Sequence, residues 1–252
     1  MRWWRADLHI HSTLSPCASL TMSPPRIVAE ARRAQLDLIA ICDHNAAENG
    51  RYVRRLAAGA PVVLMGMEIQ TAEEVEVLAY FADEEAALHL QEELYPYLPD
   101  IACDPDLFGD QVVVDEREEI VRRVERLLLS PVALPLAEVV RRVEERGGIA
   151  VPAHVERVPG GLLAVLGLFP EGEWPQAVEI APWTPVEEAL AAWPALRGRP
   201  IVRGSDAHFP EEIGRAWTEY FIAAPTLAEL QDAFRGRGGR KVRPSREVKE
   251  EG

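Results

Sequence analysis

Short apolar runs recur along this chain and alternate with segments whose apolar residues fall at helical spacing. Residues 3–8 read as a first strand. Residues 36–41 form a short, nearly all-apolar run, the kind buried on both faces of a parallel sheet. Similar runs follow at 61–67, 76–81, 149–152, 177–180, 200–203 and 218–222. Between them the pattern predicts helices over 46–56, 84–94, 116–129, 136–146, 161–168, 186–193 and 226–234. A further helix starts at Ser23-Pro24-Pro25, where Ser suits the cap and Pro the first turn. Gly147-Gly148 closes the helix over 136–146. Residues 12–22 and 100–111 read as loops; within the second, residues 104–111 read as a lid or substrate wall, or equally as a plain surface loop.

Strands alternating with helices predict an α/β fold built on a parallel sheet. About seven such units within residues 1–235 favour a barrel closed on itself over an open sheet. No linker divides the chain, so residues 1–235 read as one domain. Residues 236–252 read as a charged, solvated tail.

Composition narrows the picture. The 252 residues are 48% apolar and 27% charged, as in an ordinary soluble protein. A net charge of −14 predicts that polyanions are repelled, so no nucleic-acid duplex and no anionic membrane is expected as a partner. A small anionic substrate held by metal ions remains compatible with that charge. Three widely spaced cysteines (Cys17, Cys42, Cys103) argue against a disulfide framework and for a reducing cytoplasm. The N-terminus carries no long apolar segment, so no signal peptide or membrane span is expected. The apolar helices and Trp3-Trp4 would serve either the core or a homo-oligomer interface.

The candidate chemistry lies at the strand ends. Asp7-Leu8-His9-Ile10-His11-Ser12 closes the first strand, and residues two apart on a strand point to the same side. Both imidazoles can therefore reach one metal ion. His44, His154 and His208 also follow apolar runs, as do Glu68 and Asp206. Strand ends of one polarity are where barrels and wound sheets collect their sites. Imidazole and carboxylate together suit zinc, manganese or iron. A single His in such a place is usually a satisfied polar residue; the joint pattern is what carries the reading. Asp7 and Asp43 are candidates to fix the second nitrogens of the neighbouring histidines. His89, within a helical run, reads as surface or packing.

Five motifs then carry a resemblance: His9-x-His11-Ser, Cys42-Asp43-His44-Asn, Gly66-Met-Glu68, Pro152-Ala-His154 and Gly204-Ser-Asp206-Ala-His208. In this order they resemble the PHP (polymerase and histidinol phosphatase) family of metal-dependent phosphoesterases, over residues 5–235. The resemblance implies a distorted seven-stranded (β/α)7 barrel with two or three divalent ions at one rim. His9, His11, Glu68 and Asp206 would hold one ion. Glu68 would bridge to a second held with His154, and His44 and His208 would hold a third. Two positions depart from the family pattern. Cys17 stands in the loop where members often carry Asp or His, and it is either a thiolate ligand or a small apolar residue. Glu76 stands where many members carry His, and it can serve as a harder ligand of the second ion.

The implied activity is hydrolysis of a small phosphomonoester through a metal-bridging hydroxide. Arg157 is the candidate phosphate contact; Arg203 and Arg117 read better as surface ion pairs. Asp43 and His208 are the candidate catalytic residues; a metal-bound water, or His208 if the third site is empty, would protonate the leaving oxygen. The alternatives are a phosphodiester, nucleotide-bisphosphate or amide hydrolase on the same centre, or a non-catalytic metal-binding module.

Overall fold

Alternating apolar positions lay down β1 (Arg2–Ile10), whose inner half is buried. The computed structural model describes residues 1–172 and 174–245. After β1 come α1 (Pro24–Arg33), β2 (Leu38–Ile41), α2 (Gly50–Ala57), β3 (Val62–Gln70), β4 (Glu76–Phe81), α3 (Glu84–Leu94) and α4 (Pro105–Phe108). A hairpin of β5 (Val112–Val114) and β6 (Ile120–Arg123) precedes α5 (Leu136–Glu145), β7 (Ile149–Pro152) and α6 (Leu162–Leu166). The chain continues through β8 (Val178–Glu179), α7 (Val186–Ala192), β9 (Ile201–Val202), β10 (Thr218–Ile222), α8 (Leu227–Phe234) and β11 (Lys241–Pro244).

The main sheet has seven strands in the order β11-β10-β1-β2-β3-β4-β7. It is mixed, not parallel as expected: β4 runs antiparallel to β3 and β7, and β10 runs antiparallel to β1 and β11. The turn over residues 71–75 is too short for the crossover helix that parallel strands need. The sheet curls, and the parallel pair β8-β9 stands across its opening. A single bridge between Ile10 and Ala207 links that side back to β1. Among the described residues no continuous ladder closes the ring, so the fold is a curled α/β half-barrel.

Ala6, Leu8, Leu38, Ala40, Leu78, Tyr80, Val151 and Tyr220 pack together with Phe234 and Leu230 of α8. Ile10, Ile39, Ile41 and Val63 lie in a separate cluster with α1. The register of β1 against β2 shifts between Asp7 and Ile10. That irregularity changes the face of β1, so Ile10 joins the cluster around α1 while His9 and His11 turn toward the other strand ends.

The helix expected over 116–129 is absent. Its apolar spacing fits a helix, but Asp115 accepts from the amides of Arg117 and Glu119 and makes a turn. Ile120–Arg123 then pairs with the β-branched run of β5. The tail expected from residue 236 contains β11, which adds to β10 through Val242 and Pro244. Residues 246–252 of that expected tail lie outside the described residues. Arg203 is not a surface ion pair: it is buried and donates to the carbonyls of Ser245, Ala181 and Pro182. No helix among the described residues is long and apolar enough to cross a membrane.

Candidate metal centre

Each strand end delivers one or two side chains to a single buried point. β1 supplies His9 and, one residue past its end, His11; the turn after β2 supplies Asp43 and His44, and β3 supplies Glu68. β4 runs the other way, so its first residue, Glu76, is the one that reaches this rim. The turn after β7 brings His154, and the turn after β9 brings Asp206 and His208. His154 (φ 23°) and Asp206 (φ 49°) both sit in the left-handed region that side chains with a Cβ avoid. Such strain persists where the surroundings impose it, and it clusters at sites. Gly160 (φ 91°) lies against Glu76, where a Cβ would fall 1.9 Å from Oε2; only glycine leaves that carboxylate its place.

Glu68 is 1% exposed and sits at the middle. Its Oε1 lies 3.1 Å from Nε2 of His154 and 3.4 Å from Nε2 of His9. Its Oε2 lies 3.2 Å from Nδ1 of His44 and 3.4 Å from Nε2 of His11. Asp206 Oδ1 stands 3.2 Å from Nε2 of His11 and 3.4 Å from Nε2 of His9. Glu76 Oε2 is 3.4 Å from Nε2 of His154. Three ligand-atom groups are compact enough for an ion: His9-His11-Asp206, His44-Glu68-Glu76 and His11-His44-His208.

The residues fit divalent metal. The buried Nε2 of His9 and Nδ1 of His154 have no hydrogen-bond partner, and polar atoms are rarely buried without one. Burial and the nearby His208 push His11 down to about 4, and burial pushes His44 down to about 3, so both offer neutral nitrogens. Burial alone would raise Glu68 and Asp206, yet His9 and its neighbours hold both carboxyls well below the usual range. Burial, joined by the charge of Glu68, raises Glu76 to about 7.

The outer contacts differ from the expectation. Asp7 touches no imidazole ring; it accepts from the amides of Ser205 and Gly214 and ties the β9 turn to β1. Asp43 likewise meets no ring directly. It accepts from the Ser12 amide, the Ser12 hydroxyl and the Ser15 hydroxyl. Ser15 Oγ in turn lies 2.9 Å from Nδ1 of His11, so Asp43 orients that ring through the serine. The acceptor for Nδ1 of His9 is Glu179, at 2.9 Å. Sequence reasoning missed Ser15 and Glu179. A carboxylate inside the apolar run at 177–180 marks Glu179 as unusual, though not as a partner of His9.

At the edge, Arg157 Nη1 donates to Asp206 Oδ2 at 2.7 Å and Nη2 to Glu76 Oε2 at 3.3 Å. His208 is partly exposed, and its Nε2 lies 3.2 Å from Sγ of the exposed Cys17. The loop expected as a wall lies beside this edge: a Cβ on its Gly109 would fall 2.0 Å from the carbonyl oxygen of Pro16. His89 is exposed on the outer face of α3, apart from the cluster, in a groove with Glu85, Glu92 and Glu145.

None of the curated proteins compared matches the sequence. The family model "PHP_C: PHP-associated" matches residues 191–237, the segment that carries Asp206 and His208. The fold is similar to the lesion-specific endonuclease PfuEndoQ from Pyrococcus furiosus, with TM-score 0.68 and 19% identity over 95% of this chain and 57% of that one. It is also similar to Endonuclease Q in complex with a 27-mer duplex bearing an abasic lesion at the active site, with TM-score 0.63, 19% identity, and 95% and 58% coverage. PsfC from Pseudomonas syringae PB-5123 matches over 98% of this chain and 93% of that one, with TM-score 0.59 and 17% identity. The chain thus spans under three fifths of the two endonuclease structures. At these identities the likeness is one of fold.

The duplex in the second structure overturns the expectation that no nucleic-acid duplex would be a partner. Net charge sums the whole surface, whereas a duplex meets the local field at one site, where cations gather. The match over residues 191–237 and the shared fold agree with the resemblance to the PHP-domain family that the ordered motifs carry.

Proposed function

We propose that this protein is a metal-dependent phosphoesterase whose centre accepts a small phosphomonoester. The observation that carries the reading is the convergence of His9, His11, Glu68, His154 and Asp206 on one buried point, with Arg157 at its edge. His9, His11, Glu68 and Asp206 would hold a first ion, and Glu68, Glu76 and His154 a second. His44, His208 and Cys17 would hold a third, at the exposed side. Zinc, manganese and iron suit these donors. When bound, the ions supply an acidified water and offset the charge of a phosphate.

The chain's own residues do the rest. Arg157 presents two N–H groups in one plane and can take two phosphate oxygens once it leaves the carboxylates. A metal-bound water, or His208 if the third site is empty, would give a proton to the departing oxygen. Asp43, through Ser15, holds the ring of His11 in one orientation.

A second reading is a phosphodiester in nucleic acid, favoured by the lesion-bearing duplex in a structure of this fold. One experiment separates the two. Protein loaded with Mn²⁺ or Zn²⁺ is offered p-nitrophenyl phosphate, nucleotides, sugar phosphates, bis(p-nitrophenyl) phosphate and an abasic-site duplex. Turnover of monoesters with little on the diesters supports the first reading. Cleavage of the duplex alone supports the second, and no turnover of any of them contradicts both.

A further inference from the structure

Glu179 is a buried carboxylate, 2% exposed, in the two-residue strand β8. It lies between Val178 and Ile180 of the core, and its ion-pair partner is His9. Its Oε2 accepts two hydrogen bonds, from Nδ1 of His9 at 2.9 Å and from the backbone amide of His154 at 3.2 Å. The same turn is fixed from the other side, where the amide of Val155 donates to the Glu179 carbonyl at 2.9 Å. One oxygen thus grips a ring from β1 and the strained backbone of the turn after β7.

We propose that Glu179 is a positioning residue that couples two metal positions: it aims the Nε2 of His9 at one and holds the backbone that aims His154 at the other. The inference rests on the metal reading of the centre. A carboxylate that accepts from the far nitrogen of a ligating His fixes ring orientation and raises ligand basicity. With Nδ1 committed to Glu179, Nε2 is the nitrogen left to face Glu68 and Asp206, and it has no other partner. His154 keeps a φ of 23° while its amide is spent on the same oxygen. Loss of Glu179 frees the ring and the turn together.

Gly204 completes the arrangement. A Cβ there would lie 2.6 Å from Cβ of His9 and 2.8 Å from Oε1 of Glu179. Real side chains do not approach so closely, so any larger residue pushes the pair apart. The glycine that opens the Gly-Ser-Asp-Ala-His motif is therefore explained by the room that Glu179 and His9 need.

The test uses the full chain, stripped of metal and titrated with Zn²⁺ by calorimetry, with metal content read after dialysis. A downfield proton NMR signal from the buried Nδ1–H of His9, assigned by its loss in His9→Gln, reports the clamp without any metal. Glu179→Ala is expected to lose that signal and to weaken the first two binding steps by about 10- to 100-fold each. Glu179→Gln keeps an oxygen for both donors but no charge. It should keep the signal and weaken both steps by less. Gly204→Ala should move or broaden the signal and weaken the step that uses His9. Unchanged affinities in Glu179→Gln and Glu179→Ala overturn the proposal, and a loss confined to one step overturns the coupling. If Glu179→Ala does not fold, Glu179→Gln and Gly204→Ala decide. If the wild-type protein takes up no Zn²⁺, it is the metal reading that fails, and the proton signal still decides whether Glu179 holds His9.

Discussion

Arg157 and Asp206 form a 2.7 Å ion pair across the mouth of the cluster, joining the turns that follow β7 and β9. The guanidinium also lies 3.3 Å from Glu76, so it rests on two carboxylates that the metal reading assigns to ions. A phosphate arriving at loaded metals offers the same fork a better-placed anion. Arg157→Ala should therefore lower kcat/KM for a phosphomonoester by about 10- to 100-fold, equivalent to about 1.5–3 kcal/mol for a charged hydrogen bond. The loss should fall mainly on KM, with metal content unchanged. Arg157→Lys should recover little, since a point charge cannot take two oxygens in one plane. Steady-state kinetics with parallel elemental analysis checks this; a loss of metal would show that Arg157 supports the ligands instead.

Cys17 and His208 meet at 3.2 Å on the exposed side. If they share the third ion with His44, Cys17→Ala and His208→Ala should each hold one ion fewer than wild type and keep the others. The count is read by elemental analysis after dialysis. A Cys17→Ala protein with the full complement would leave the cysteine as a packing residue.

Ser15 stands between Asp43 and His11, and its hydroxyl also lies 3.2 Å from the amide of His44. Ser15→Ala leaves the His11 ring without its acceptor and Asp43 short of a donor. It should destabilise the metal-free fold by about 1–3 kcal/mol, the cost of an unsatisfied buried group. Chemical denaturation measures this, and a value near zero would show that water replaces the hydroxyl.

Glu229 of α8 and Arg240, just before β11, form a two-pronged pair, one arm at 2.8 Å. The Arg240 hydrogen bonds lower Glu229 from the ordinary 4.5 to about 2. A carboxyl depressed on folding adds stability above its unfolded value and loses it as pH falls through its folded one. Arg240→Gln should therefore lower Tm at pH 7, and the gap to wild type should close between pH 4.5 and 2. A gap that persists at pH 2 would show that Arg240 acts through packing.

The strand ends were legible because the apolar runs and the histidines that close them are local. The structure does bring the side chains of His9, His11, His44, Glu68, His154, Asp206 and His208 together. What the chain order hides is direction and partnership. The reversal of β4, which brings Glu76 to the rim from the start of its strand, depends on a turn that apolar spacing does not encode. The run over 116–129 has helical spacing, but pairing with Val112–Val114 outweighs it. Glu179 lies 170 positions from His9, and nothing local announces their contact. Asp43 sits beside His44 in sequence yet serves His11 through Ser15, because its carboxylate turns toward the loop after β1.

The phosphoesterase reading requires Glu68 to join the ions. It is tested most directly by measuring metal content and p-nitrophenyl phosphate turnover together, in wild type and in Glu68→Gln. Wild type should hold at least two transition-metal ions per chain, with turnover that rises with loading. Glu68→Gln should lose both in parallel. A Glu68→Gln protein that turns over substrate without bound metal would contradict it.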